Sequence, residues 1–287
     1  MPEKRADTIA ELQTDILRLE GFKTANNTAV DVGLGPIKDS FPNGLFPLGA
    51  VHEFLSAQTE DAAATSAFIA GLLAALMGGN GTSLWISSSR TLFPPALKSF
   101  SIQPDRFIFI DLKKEKDVLW AMDEALKCGA LAAVVGEMQE ISFTASRRLQ
   151  LAVEQSQVTG FILRRNPRNL NTTACVSRWK ITTLPSVPIA PDSYQAGTVD
   201  DLPGVGFPHW RVELLRIRNG RAGVWDIKWM AGRFHIVNNH SSYQTTGKSN
   251  FTSAHISGQG SAFSKISADP HYASAHYPLL ASAGKAR

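Results

Sequence analysis

Between about residues 49 and 165 the chain alternates between two textures. Short runs at 51–55, 84–87, 107–112, 131–135 and 160–163 are apolar nearly throughout. They predict strands covered on both faces, as in a parallel sheet. The stretches at about 60–77, 116–128 and 143–156 have helical spacing instead. The second sets Val118, Met122, Ala125 and Leu126 on one side, and the third does the same with Ala145, Leu149, Ala152 and Val153. Strand following helix in this way implies right-handed crossovers and a doubly wound α/β sheet. A stripe of Ile9, Leu12, Ile16 and Leu19, stopped by Gly21, predicts a short N-terminal helix over 6–20.

Beyond residue 208 the pattern changes. The runs 212–217 and 224–229, joined through Asn219-Gly220-Arg221-Ala222-Gly223, predict an antiparallel hairpin with Trp225, Ile227 and Trp229 on one face and Asp226 and Lys228 on the other. The Pro-, Gly- and Asp-rich stretch 185–208 predicts a mobile linker. From 238 to 287 apolar residues are scattered without a period among Asn, Ser, Gly, Gln, Thr and His, which predicts a disordered tail. The expected organisation is therefore a helix and linker over 1–35, a core over 36–184, the linker 185–208, a hairpin packed on the core over 209–237, and the tail.

Composition narrows the class. With 287 residues, 44% apolar and 19% charged, the chain can bury one sizeable core. Its two cysteines, Cys128 and Cys175, form no framework of spacings and fit a reducing cytoplasm as small buried hydrophobes. The start has no signal-like apolar core, and the longest greasy run, 67–77, is too short to span a bilayer, so a cytoplasmic protein without a membrane anchor is expected. A net charge of +4 permits an acidic or nucleic-acid partner without requiring one.

Residues 46–63 have the layout of a phosphate-binding loop, strand then turn then helix, without its chemistry. Such a loop needs glycines for close backbone approach, a lysine for the β/γ oxygens and a hydroxyl for Mg²⁺. Here the first glycine falls on Ser56, the second on Asp61, the lysine on Ala62 and the hydroxyl on Ala63. A lysine ~4 Å from a phosphate charge is worth up to ~4 kcal/mol at an effective dielectric near ~20, and Glu60 and Asp61 add repulsion instead. The loss corresponds to about a thousandfold in affinity or more.

The segments FPNGLFPLGAVHEF, LWISSSRTLFPPALKSFSIQPDRFIFID, LWAMDEALKCGALAAVVGE, ISFTASRRLQLAVEQS, TGFILRR, CVSRWKI and WRVELLRIRNGRAGVWDIKW carry a name. The first resembles the start of a RecA-type ATPase core. Together, over roughly residues 35–237, they resemble the ImuA family of error-prone repair proteins. The resemblance implies a RecA-like, P-loop NTPase-type three-layer core with degenerate Walker motifs, and a non-catalytic accessory role in SOS-induced translesion synthesis. It implies as partners an ImuB-like Y-family polymerase homologue and RecA. Two competing functions come with it: an active RecA-like ATP- and DNA-binding ATPase, and a SulA-like inhibitor of cell division. Two further positions argue against hydrolysis. The place of the water-activating glutamate falls near Ser89, and the Walker B acid should end the 131–135 strand, where Gly136 and then Glu137 stand. A locally paired Glu137 is the expectation, and with it a pseudoenzyme that needs no cofactor or metal.

Cations cluster in two places. Arg147, Arg148, Arg164, Arg165, Arg168, Arg178 and Lys180 form one group, with Trp179 between the last two; Arg211, Arg216, Arg218, Arg221, Lys228 and Arg233 accompany Trp210, Trp225 and Trp229. Arg147, Arg148, Arg164, Arg165, Arg178, Trp179, Arg216 and Arg218 are the candidate nucleic-acid or partner contacts, phosphates on the guanidiniums and a base on the indole. The competing expectation is a solvated helix face with the tryptophans in the core. The run Leu149-Gln150-Leu151-Ala152-Val153 resembles a sliding-clamp peptide, but its helical period assigns it to packing. His52, inside the first strand, is expected to be structural. His240, His255, His271 and His276 are too irregularly spaced for a zinc site.

Overall fold

The computed structural model describes residues 30–78, 81–187 and 206–239. The chain divides into two units, Met1–Gln244 and Thr245–Arg287, and the described residues all belong to the first. The expected helix over 6–20, most of the 185–208 linker and nearly all of the 238–287 tail lie outside the described residues.

Nine strands form one sheet: β1 (Val51–Ser56), β2 (Ser83–Ser87), β3 (Phe107–Asp111), β4 (Ala133–Met138), β5 (Thr159–Arg165), β6 (Ser177–Val187), β7 (Phe207–Ile217), β8 (Gly223–Met230) and β9 (Arg233–Asn239). Their order is β3-β2-β4-β5-β1-β6-β7-β8-β9. The strands from β3 to β6 run parallel to their neighbours. From β6 onward the pairing is antiparallel. Three helices connect the parallel strands: α1 (Thr59–Met77), α2 (Glu115–Ala125) and α3 (Phe143–Ser156). The fold is thus mixed α/β.

Alternation along the strands divides the interior in two. On one face, α1 contributes Phe68, Ile69, Leu72 and Leu73 to a core with Phe54, Phe161, Trp179 and the meander residues Trp210, Trp225, Trp229 and Phe234. On the other, Val118, Met122 and Leu126 from the α2 region and Leu149 and Val153 of α3 cover Val51, Val134 and Ile162. The helix α1 has the length and composition of a membrane span, yet most of it is buried within the protein as the central helix of the first core. Gly71 lets it approach β8 and β9, because a β-carbon there would run into the rings of Phe234 and Trp229. Acidic residues in its first turn and Gly78 at φ 52° after its end set its limits.

Two strands lie where the sequence pattern predicted none. β6 continues the parallel region beside β1 and extends through residues 185–187, which the composition assigned to the linker. β9 completes an antiparallel meander. The strands β7 and β8 pair antiparallel with Val212 opposite Trp225, and through β6 they continue the sheet itself instead of lying on the core as a separate layer.

His52 of β1 anchors the preceding segment. Its Nε2 lies 2.8 Å from the carbonyl oxygen of Pro47, which only accepts, so this nitrogen carries the proton. Nδ1 then accepts from Ser177 Oγ at 2.7 Å, and Trp179 Nε1 donates to that hydroxyl oxygen at 2.7 Å. Every member of this buried relay is satisfied. Burial lowers the His52 pKa from 6.5 to about 4, with the Pro47 carbonyl opposing, which keeps the ring neutral.

Candidate functional site

The turn where a phosphate loop would sit is closed. Ala57 and Gln58 alone separate β1 from α1, and Ser56 Oγ donates to the Gln58 carbonyl at 3.0 Å. Asp61, Ala62 and Ala63 therefore fall inside the first turns of α1, not in a loop. Asp61 and Ala62 are buried and Ala63 is exposed. The Asp61 carboxylate accepts the backbone N–H of Thr183 at 3.1 Å, tying α1 to β6. The first turn of α1 thus carries a buried carboxylate turned to β6, and its negative charge opposes an anion approaching the helix start.

Glu137 is enclosed as well. It lies in β4, where Trp85 Nε1 donates to its Oε1 at 2.6 Å and Arg165 pairs with its Oε2 at 2.6 Å. Burial pushes its pKa up, Arg165 and the indole pull it back, and Asp111 adds to the rise. Arg165 also donates to Thr91 Oγ1. Gly136 gives α2 its close approach, since a β-carbon there would meet Met122 Sδ. Ser89 is exposed just past β2.

The first basic group separates into spent and accessible charge. Glu53, fully buried in β1, accepts Arg164 Nη1 at 2.9 Å on one oxygen and Arg178 Nε at 2.8 Å on the other. Thr173 Oγ1 donates to the second oxygen at 2.7 Å. Arg164, itself fully buried, also reaches Glu140 at 2.6 Å and the carbonyls of Gln139 and Asn169. Desolvation opposes ionisation of Glu140, but the amides of Arg168 and Asn169 and the charge of Arg164 outweigh it and hold the carboxyl below its usual range. Two carboxylates and two guanidiniums thereby staple the 166–176 loop over the ends of β1, β5 and β6. Arg164 and Arg178 have no charge left for a nucleic acid. Trp179, stacked on Phe54 with centroids 6.0 Å apart and flanked by Phe41 and Phe68, has no face free for a base.

Sequence reasoning missed Glu53, although a carboxylate inside the apolar run VHEFL requires a buried partner and could have flagged it. Arg148 pairs with Asp123 at 3.1 Å while its side chain stays exposed. Leu149, Ala152 and Val153 of the clamp-like run are buried.

Among the described residues a cleft of about 420 Å³ opens beside the same loop, lined by Phe143 and Arg147 of α3, by residues 172–176, and by Arg216, Ile217 and Arg218. Arg216 Nη2 donates to the carbonyls of Thr173 and Cys175, each at 2.9 Å, and Arg218 lies against that of Ala174. Ser146 Oγ accepts the Ala174 N–H at 2.9 Å, locking the loop to α3. The Cys175 thiol, pushed up to about 12 mainly by burial, stays protonated. No group of three His, Cys, Asp or Glu that could hold a metal occurs among the described residues.

The fold and its sites define a mixed α/β sheet protein with a two-residue turn after β1, an internal charge staple and, among the described residues, an arginine-lined cleft. No family model matches the chain. It is similar to two curated proteins, both named Protein ImuA, from Caulobacter vibrioides strain NA1000 / CB15N and strain ATCC 19089 / CIP 103742 / CB 15. Identity to each is 36% over 201 residues, 66% of this chain and 78% of the relative. The chain belongs to the ImuA family.

Proposed function

We propose that this protein is a non-catalytic accessory factor of the mutagenic response to DNA damage, serving SOS-induced translesion synthesis in the cytoplasm as a binding platform for an ImuB-like polymerase homologue, RecA, or both. Family membership supports the setting. The strand order β3-β2-β4-β5-β1 with a helix leaving the central strand supports a RecA-like ancestry for the core. The observation that carries the non-catalytic part is the short turn after β1, where buried Asp61 in the first turn of α1 is tied to Thr183 and Ala62 stands at the place of the loop lysine.

The test is association of the full-length protein with purified ImuB and with RecA at micromolar concentration and low salt. Saturable binding to either supports the platform reading; absence of both removes it.

A further inference from the structure

We infer that the cleft between α3 and the end of β7 is a binding site for single-stranded DNA, with Arg147, Arg216 and Arg218 meeting phosphates and Phe143 stacking on a base. The charge there is uncommitted. Among the described residues neither Arg216 nor Arg218 forms an ion pair with a carboxylate, and Arg147 reaches Glu154 only at 4.0 Å. This contrasts with Arg164, Arg165 and Arg178, each paired with a glutamate at 2.9 Å or less. Loop carbonyls hold Arg216 and Arg218 in place, so their orientation is fixed before a ligand arrives. Guanidiniums held by neutral acceptors keep their full charge and present a planar fork suited to phosphate oxygens.

The aromatic is equally uncommitted. Phe143 lines the cleft with 54% of its surface exposed, at the first residue of α3. An apolar ring left open beside three cations is the arrangement that engages unstacked bases and the backbone between them. Ala174, Val176 and Ile217 give the cleft an apolar lining that a base can cover. Its volume is that of a small-ligand pocket, which admits a base with its phosphates and excludes a duplex. One residue, Ile217, separates Arg216 of β7 from Arg218 in the turn that follows, and both guanidiniums lie against the carbonyls of residues 173–175, in reach of successive phosphates. An acidic peptide would also satisfy the guanidiniums, but a flat, half-exposed ring favours a planar partner.

The inference deepens the accessory-factor reading and rests on it for its setting alone. The experiment follows fluorescence anisotropy of a labelled oligothymidine about 20 nucleotides long with full-length protein across a salt series. Binding that weakens steeply with salt is expected. Arg147→Gln and Arg218→Gln should each lower the slope of log affinity against log salt by roughly 0.7. Phe143→Ala should weaken binding about tenfold at constant slope. Unchanged thermal melting would show that these variants fold. No binding at low salt, or equal binding by all three variants, overturns the site; capture of a labelled polyglutamate peptide in place of the oligonucleotide overturns it in favour of an acidic peptide. Association with ImuB and RecA, measured on the same variants, keeps failure of the cleft distinct from failure of the platform reading.

Discussion

The turn after β1 and the cleft beside α3 are both places where an anion could be expected, and they have opposite fates. At the turn, the first turn of the helix carries buried Asp61, whose carboxylate is held by β6. At the cleft, arginines are held by neutral carbonyls and keep their charge. The lesson is that cation count says little about binding. What a guanidinium can still do depends on whether its nearest acceptor is a carboxylate or a peptide oxygen, and the two kinds stand side by side: Arg178 and Arg216, opposite each other on β6 and β7, both reach Thr173 of one loop.

The comparison breaks first at Glu53. Its removal leaves buried Arg164 with the part-exposed Glu140 as its remaining carboxylate and takes the carboxylate paired with Arg178, so Glu53→Ala should cost about 3 kcal/mol in urea unfolding. A cost below about 1 kcal/mol would mean that the staple does not hold the loop.

The pH dependence of stability sharpens the same boundary from the other face of β1. The His52 pKa is depressed by burial from 6.5 to about 4. Its contribution is therefore fully present above pH 6.5 and is lost on acidification toward pH 4. The loss over that window should be about 3 kcal/mol, and His52→Gln should flatten the profile.

Asp61→Ala comes next. It leaves the Thr183 amide without its acceptor and should cost about 1–3 kcal/mol, read as a lower urea midpoint. The smallest effect is expected at Arg147→Gln, within about 0.5 kcal/mol of the parent, because this exposed side chain has only a long contact with Glu154. Large destabilisation there would mean that the cleft is structural.

The elements with a clean period were legible. The stripes of α2 and α3 and the apolar runs of β1, β2, β4 and β5 mark themselves, because each is buried against neighbours of the same kind. β6 did not, since Arg178 and Lys180 interrupt its pattern and their acceptors, Glu53 and Glu213, lie 125 and 33 residues away. β9, a polar edge strand, has little to distinguish it from a loop. At the sites, Ala62 standing at the lysine place of the phosphate-loop pattern was visible residue by residue. The division of the arginines was not, because charge clusters in sequence do not reveal which member faces a buried acid. Nor was Phe143, whose exposure depends on where the 166–176 loop leaves α3 uncovered.

The central claim is that the closed turn after β1 has given up nucleotide. Isothermal titration of the full-length protein with Mg-ATP, paired with a phosphate-release assay, tests it most directly. The account predicts no saturable heat up to about 1 mM nucleotide and no release above the uncatalysed rate. Saturable binding with turnover, abolished by a substitution at Ala62 or Glu137, would contradict it.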